Sequence, residues 1–306
     1  MSIYLPIAEM SLNILVLIGM GVVAGFFSGL FGIGGGFLIT PLLIFYNIPP
    51  AIAVGTGTNQ MIASSVTGAM AHFRRRTLDI KLGILLTIGG GVGSFIGIQI
   101  FSLLKDRGQL DLIVSLLYVI LLGSVGSLMI VESWRDMVRR RKTKKVNIRL
   151  AGRHSWIHRL PLKMRFRASM IYVSIIPVLG IGLIVGLLSS IMGIGGGFFT
   201  VPALVYLLRV PTKVVIGTSL FQITFVSSFT TVLQSVSNQS VDIVLAFLLM
   251  LGGSIGVQYG VRAGRKLKAE QLRMALAFLV LVVCMHLAFQ LFIRPDDLFS
   301  LSILTG

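Results

Sequence analysis

The pentapeptide Gly32-Ile33-Gly34-Gly35-Gly36 returns as Gly193-Ile194-Gly195-Gly196-Gly197, each time after an apolar stretch and before a Phe with a Pro four residues beyond it. The displacement, 193 − 32 = 161 residues, also brings Gly25 onto Gly186, Ser28 onto Ser189, Phe37 onto Phe198 and Pro41 onto Pro202. With one more residue inserted, Gly55-Thr56 falls on Gly217-Thr218 and Gln60 on Gln222; later, Gly97-Ile98-Gln99 matches Gly256-Val257-Gln258. The chain is a duplication, and each half is built around a run of glycines that no regular helix needs.

What surrounds those runs fixes the solvent. Hydrophobic residues make up 55% of the chain and charged ones 12%, against about 25% charged in soluble domains. A bilayer-spanning helix takes about 20 mostly apolar residues. Such stretches run Leu12 to Phe31, Ala51 to His72, Ile80 to Leu104, Leu110 to Val131, Tyr172 to Met192, Val214 to Val236, Ile243 to Val261 and Leu272 to Phe292. Gly36 to Tyr46 and Gly197 to Leu208 follow the glycine runs at about half to two thirds of that length and read as broken or re-entrant half-helices. The fold expected is an all-α integral membrane protein of two repeats with about five segments each. No basic region precedes the first apolar stretch, so the start reads as mature protein rather than as a cleaved signal.

Charge gives the expected orientation. The net charge is +17, yet 13 of the 27 Lys and Arg residues fall between Arg135 and Arg167, so the excess belongs to one loop and not to a nucleic-acid surface. Basic loops mark the cytoplasmic side. That places residues 134–168 inside as a linker between a first repeat (1–133) and a second (169–306), with both termini outside. The basic turn at Arg74-Arg75-Arg76 is then inside, while its counterpart at Ser237 to Ser240 carries no basic residue and falls outside, so the repeats are inverted. Trp156, Ile157, Leu160, Leu162, Met164 and Phe166 among the basic residues suit either a solvated linker or an interfacial helix on anionic lipid. His154 and His158 have helical spacing but no third ligand, and lone Cys284 forms no intrachain disulfide, so no metal site is expected.

Three successive glycines at bilayer depth need protein or a water-filled cavity to satisfy the freed backbone. A helix restarting at Phe37 or Phe198 points its free N–H groups and positive dipole end at the break, which suits an anion. Other glycines (Gly21, Gly25, Gly29; Gly89, Gly93, Gly97; Gly252, Gly256, Gly260, Gly264) recur every four residues and read as helix-packing faces. Asp79, Lys81, Glu132, Asp242 and Glu270 sit at span ends, so the reading leaves no buried carboxylate for a cation or a proton relay. Recognition then falls to neutral groups. The substrate-binding candidates are Gly34, Gly35, Gly36, Phe37, Thr56, Asn59 and Gln60 in the first half and Gly195, Gly196, Gly197, Phe198, Thr218, Ser219 and Gln222 in the second, with Thr58, Ser64, Ser65, Thr224 and Ser227 nearby. An enzyme would need a nucleophile, base or metal set at depth, which the spans do not offer. Inverted repeats with discontinuous helices are a transporter pattern; an anion channel is the alternative.

The paired sequences Gly25 to Phe37 and Gly186 to Phe198, each followed by a Pro, resemble the sulfite exporter TauE/SafE family over both halves. The resemblance implies a bacterial inner-membrane permease, often an exporter, moving small sulfur-containing anions such as sulfite, a sulfonate or sulfoacetate. A transporter of a non-sulfur carboxylate stays open beside it. No cofactor is implied; coupling to protons or sodium and a homodimer are left undecided.

Overall fold

A computed structural model describes residues 2–142, 161–166, 169, 171–208, 210–264 and 269–292. The expectations for residues 143–160, including the His154/His158 pair and the Trp156 segment, fall outside these. The first half runs β1 (Ser2–Leu5), β2 (Met10–Asn13), α1 (Ile14–Phe31), α2 (Gly36–Phe45), α3 (Pro50–Phe73), α4 (Ile80–Asp106) and α5 (Leu110–Lys142). The second runs β3 (Lys163–Phe166), β4 (Ile171–Ser174), α6 (Ile175–Met192), α7 (Gly197–Pro202, continued by a π-turn over Ala203–Leu207), α8 (Thr212–Asn238), α9 (Ile243–Gly264) and α10 (Ala269–Phe292). Among the described residues, six helices are long and apolar enough to cross a membrane: α1, α4, α5, α6, α8 and α9. Helices α3 and α10 have the length, at 24 residues each.

The same local chemistry starts and stops the first long helix of each half. Asn13 caps α1 by accepting from Leu15 N–H at 3.0 Å, and Ser174 caps α6 by accepting from Ile176 N–H at 3.3 Å. Gly32 and Gly193 end these helices in the left-handed region, at φ 71° and 68°, returning their N–H groups to Ser28 and Ser189 carbonyls. Apolar content alone starts these spans at Leu12 and Tyr172. The structure puts both residues in strands, because each helix is preceded by an antiparallel hairpin that pairs Ser2 to Leu5 with Met10 to Asn13, or Lys163 to Phe166 with Ile171 to Ser174. Met164 and Phe166, read from sequence as linker or interfacial helix, are therefore strand residues, and Phe166 is fully buried.

Glycine decides which helices touch. Helix α1 lies along α9 and α6 along α4, while α3 crosses α8 and α5 pairs with α10. A Cβ on Gly21 would stand 2.7 Å from Leu249 O, one on Gly25 2.7 Å from Gly253 Cα, and one on Gly29 2.9 Å from Val261 N, so α1 and α9 run parallel. Gly89, Gly93 and Gly97 of α4 meet Leu179, Leu183 and Leu187 of α6 in the same way. Gly55 instead meets Ser240, and Gly68 meets Leu220, so α3 and α8 run antiparallel. On α9, Phe247, Leu251, Ile255 and Tyr259 are exposed while Gly252, Gly256 and Gly260 are buried. Large apolar groups outside and small ones inside is the arrangement that lipid favours, since close backbone packing and not apolar burial holds such helices together.

The reading that no carboxylate is buried is corrected. Asp79 and Asp242 stand at the starts of α4 and α9, as expected, yet are 4% and 0% exposed. Asp79 accepts from Leu82 N–H (3.2 Å) and from Ser169 N–H and Oγ–H (3.0 and 2.8 Å), the last two in the β3–β4 turn. Asp242 accepts from Val244 and Leu245 N–H (3.0 and 3.1 Å) and from Ile7 N–H (3.0 Å) in the β1–β2 turn. Each hairpin is thus fastened to the helix cap of the other half. Sequence position alone hid this, because a span-end carboxylate looks water-exposed until something folds over it.

Candidate functional site

The two glycine runs meet at the centre of the molecule. Phe31 to Pro41 and Ile191 to Phe198 are buried throughout. In the first run Gly34 and Gly35 take φ of 85° and 76°, and in the second Gly195 and Gly196 take 67° and 71°. With Gly32 and Gly193 also left-handed, each break holds three positive-φ residues around a single Ile, a backbone path that strongly favours glycine. The half-helices α2 and α7 then begin at Gly36 and Gly197 with no side-chain cap. Their first N–H groups, on Gly36 and Phe37 and on Gly197 and Phe198, have no preceding helical carbonyl to bond. The starts face each other: a Cβ on Gly36 would stand 2.7 Å from Gly193 O, one on Gly197 would stand 2.7 Å from Ile33 C, and the Phe37 and Phe198 rings stack at 5.5 Å with an interplanar angle of 21°.

Several buried polar side chains of both halves have no hydrogen-bond partner in the protein. Among the described residues, Ser28, Ser65, Ser189, Ser219 and Ser227 Oγ, both amide atoms of Gln60 and the amide nitrogen of Gln222 are buried and unbonded. Three repeat-equivalent pairs account for most of them: Ser28 with Ser189, Gln60 with Gln222, and Ser65 with Ser227. A buried unbonded polar group costs about 1–3 kcal/mol, and retaining such groups at matching positions of both halves is a cost that packing does not explain. Several lie at the breaks. Ser28 Cβ is 3.1 Å from where a Cβ on Gly35 would stand, Ser227 Oγ is 3.3 Å from that of Gly195, and Ser64 donates to Gly34 O at 3.2 Å. Gln222 reaches the second break through Thr200, whose Oγ1 lies 3.2 Å from Gln222 Oε1 and 2.9 Å from Gly196 O.

Other candidates are engaged elsewhere. Thr56 Oγ1 accepts from the N–H of Asp242 at 3.0 Å and Thr218 Oγ1 from the N–H of Asp79 at 3.2 Å, a matched exchange between halves. Thr58 bonds Gly55 O and stands 3.0 Å from Thr231 Oγ1, inside the α3–α8 contact. Asn59 is only partly buried and donates back to Gly55 O at 3.4 Å, and Thr224 likewise bonds Leu220 O in its own helix. The Gln60 amide, still without a hydrogen-bond partner, lies against Gly253 of α9, as that of Gln222 lies near Gly90 of α4.

Sequence reasoning passed over Ser28 and Ser189, although their 161-residue match was in view as mere alignment. It also missed Thr40 on the first half-helix, buried beside Gly57, and Tyr118, whose hydroxyl donates to Met192 O at 2.7 Å where α6 ends. Met61 and Ile223, which press on the glycines, carried no polar signal to find them by.

Discontinuous helices meeting among unbonded polar side chains, inside a shell of exposed apolar ones, are the arrangement of a membrane transporter, and comparison with known proteins agrees. The sulfite exporter TauE/SafE family model matches residues 17–287. The chain belongs to the TauE/SafE sulfite exporter family. The match takes in both glycine runs and reaches every long helix. Among its relatives, a probable membrane transporter protein of Bacillus subtilis, YunE, is 28% identical over 297 residues, covering 91% of this chain and 98% of that one. A second from the same organism, YjnA, is 30% identical over 276 residues, covering 89% and 98%. Sulfite exporter TauE/SafE family protein 3 of Arabidopsis thaliana matches more locally, 27% over 113 residues, covering 35% of this chain and 24% of its own. No solved structure matches.

Proposed function

We propose that this TauE/SafE protein is a secondary transporter that exports a small sulfur-containing anion, such as sulfite, a sulfonate or sulfoacetate, by alternating access. The observation that carries the reading is the meeting of two uncapped half-helix starts amid unbonded neutral hydroxyls and amides in repeat-related pairs. An oxyanion placed there accepts from the N–H groups of Gly36, Phe37, Gly197 and Phe198, and from Ser28, Ser227 and Gln222 of the surrounding helices. Neutral donors suit a weakly held anion that must also leave. We read the chain as having no enzymatic role.

The two halves are inverted repeats in this reading, 1–133 and 169–306 about the basic segment 134–168. The supporting contacts are the parallel runs of α1 on α9 and α4 on α6 together with the antiparallel run of α3 on α8: tracing α3 to α4 and α8 to α9 through their short turns gives α1, α3 and α4 counterparts of opposite direction in α6, α8 and α9. The membrane is the bacterial plasma membrane, with the basic segment on the cytoplasmic side and both termini outside. Rocking one half against the other then exposes one shared centre to either side.

Reconstitution in liposomes tests this directly, by measuring uptake and release of sulfite, thiosulfate, sulfoacetate, taurine and acetate with and without a pH gradient. Saturable flux of the sulfur anions, with zwitterionic taurine excluded, is the expected result. Flux of acetate alone gives the site to a carboxylate, and unsaturable flux makes the protein a channel.

A further inference from the structure

The centre that the transport reading assigns to an anion is filled by two apolar side chains, one from each half at equivalent positions. Met61 of α3 is fully buried, and its thioether touches both glycine runs: Sδ is 2.8 Å from where a Cβ on Gly195 would stand, and Cε is 2.7 Å and 3.2 Å from those of Gly36 and Gly34. Ile223 of α8 is fully buried too, its Cδ1 3.1 Å from the Cβ position of Gly34 and in contact with that of Gly197. Ile223 offers no acceptor and Met61 only a weak thioether one, so neither gives the N–H groups of the half-helix starts an ordinary hydrogen-bond partner. Ser227 Oγ, buried and unbonded, lies 3.3 Å from the Gly195 Cβ position, at the edge of the same volume.

The two plugs differ in how they yield. Methionine has three rotatable side-chain bonds and a soft, polarizable end that adapts to a changed surrounding. Isoleucine is branched at Cβ and keeps one preferred χ1 in a helix. Resting on that transport reading, we propose that Met61 is the specificity-determining residue of this protein, a displaceable plug whose swing off the glycine runs opens the anion's place, with Ile223 as the fixed wall. The size of anion accepted is then set by how much volume the Met61 side chain vacates.

Two measurements on the full-length protein test this, one of which does not need the substrate. In a Cys284→Ser background, Ser227→Cys places a thiol at the edge of the plugged volume, where the lost hydroxyl had no partner. Labelling by the anionic reagent sodium 2-sulfonatoethyl methanethiosulfonate is expected to speed up at least tenfold on adding Met61→Ala, and to stay within twofold for Met61→Leu, which keeps the volume and shows that folding survives substitution. Equal labelling rates with and without the Met61→Ala change overturn the plug. In liposomes, the wild type is expected to favour methanesulfonate over butanesulfonate, and Met61→Ala to bring the two within about threefold of each other. An unchanged size profile in a variant that still transports overturns the specificity role. If labelling accelerates while the wild type moves no sulfonate, the plug stands and the choice of sulfur anion falls.

Discussion

The sharpest perturbation is Thr56→Val with its counterpart Thr218→Val, because the sequence made both threonines substrate ligands and the structure gives each hydroxyl another task. Valine has nearly the shape of threonine, so the change removes a hydroxyl and leaves no cavity. What it strands is one backbone N–H, that of Asp242 (3.0 Å) or Asp79 (3.2 Å), at the buried start of a helix of the other half. Leaving such a donor unpaired costs roughly 1–3 kcal/mol. At roughly 2–4 °C per kcal/mol for chains of 150–250 residues, each variant should lose about 2–12 °C in unfolding temperature, measured by fluorescence-detected size-exclusion after heating detergent-solubilised protein. Thr56→Ser and Thr218→Ser keep the acceptor and should stay near the wild type. For equal amounts of folded protein in liposomes, the KM of the transported anion should be unchanged in the Val variants. A raised KM with an unaltered unfolding temperature would refute the structural assignment and return both threonines to the substrate.

Removing the caps themselves should cost more. Asp79→Ala and Asp242→Ala each lose a helix cap worth about 0.5–2 kcal/mol, and Asp79→Ala also strips the acceptor from the buried Ser169 donors at about 1–3 kcal/mol each, so amide exchange in the Ser169 or Ile7 turn should rise, most sharply at Ser169; protection unchanged in both variants would show that the hairpins are held by other contacts. Four glycine-to-alanine changes should divide by backbone conformation. Gly35→Ala and Gly196→Ala put a side chain at φ 76° and 71°, a cost of about 1–2 kcal/mol before any overlap, whereas Gly19→Ala and Gly180→Ala have nothing within 4 Å and should stabilise their helices by about 0.5–1 kcal/mol; thermal unfolding of the four ranks them, and equal shifts would remove the backbone argument. Gln60→Leu deletes an amide that has no partner, so the unfolding temperature should hold or rise while flux drops; retained flux would take Gln60 out of the transport path.

Much of the fold was legible because lipid leaves the chain few choices. Long apolar stretches have to be helices there, and the spans read from composition agree closely with α1, α4, α6, α8 and α9. The glycine runs were legible as breaks for the same reason: Gly34, Gly35, Gly195 and Gly196 stand at positive φ, and no arrangement of ordinary helices uses three adjacent glycines at depth. The hairpins before α1 and α6 were not legible. Met10 to Asn13 and Ile171 to Ser174 run straight into the apolar helices they precede, and four-residue strands carry too little periodicity to separate them from a helix start.

The candidate site divides in the same way. Backbone conformation is a local property, so the sequence by itself determined that the chain is a duplicated membrane protein with a broken helix in each half and neutral polar groups after each break. Which of those polar groups face the breaks depends on contacts between residues far apart in the chain. Thr56 and Ser65 look alike in sequence, yet the first is engaged by Asp242, 186 residues away, and the second has no partner. Asp79 and Asp242 looked solvated and are buried because hairpins 90 and 235 residues away fold over them. Met61 carried no signal in the sequence, and only the approach of α3 to both glycine runs gives it a place in front of the half-helix starts. Tertiary structure decided these cases because a hydrogen bond or a contact belongs to a pair of groups, and the second member of each pair lies in the other half of the chain.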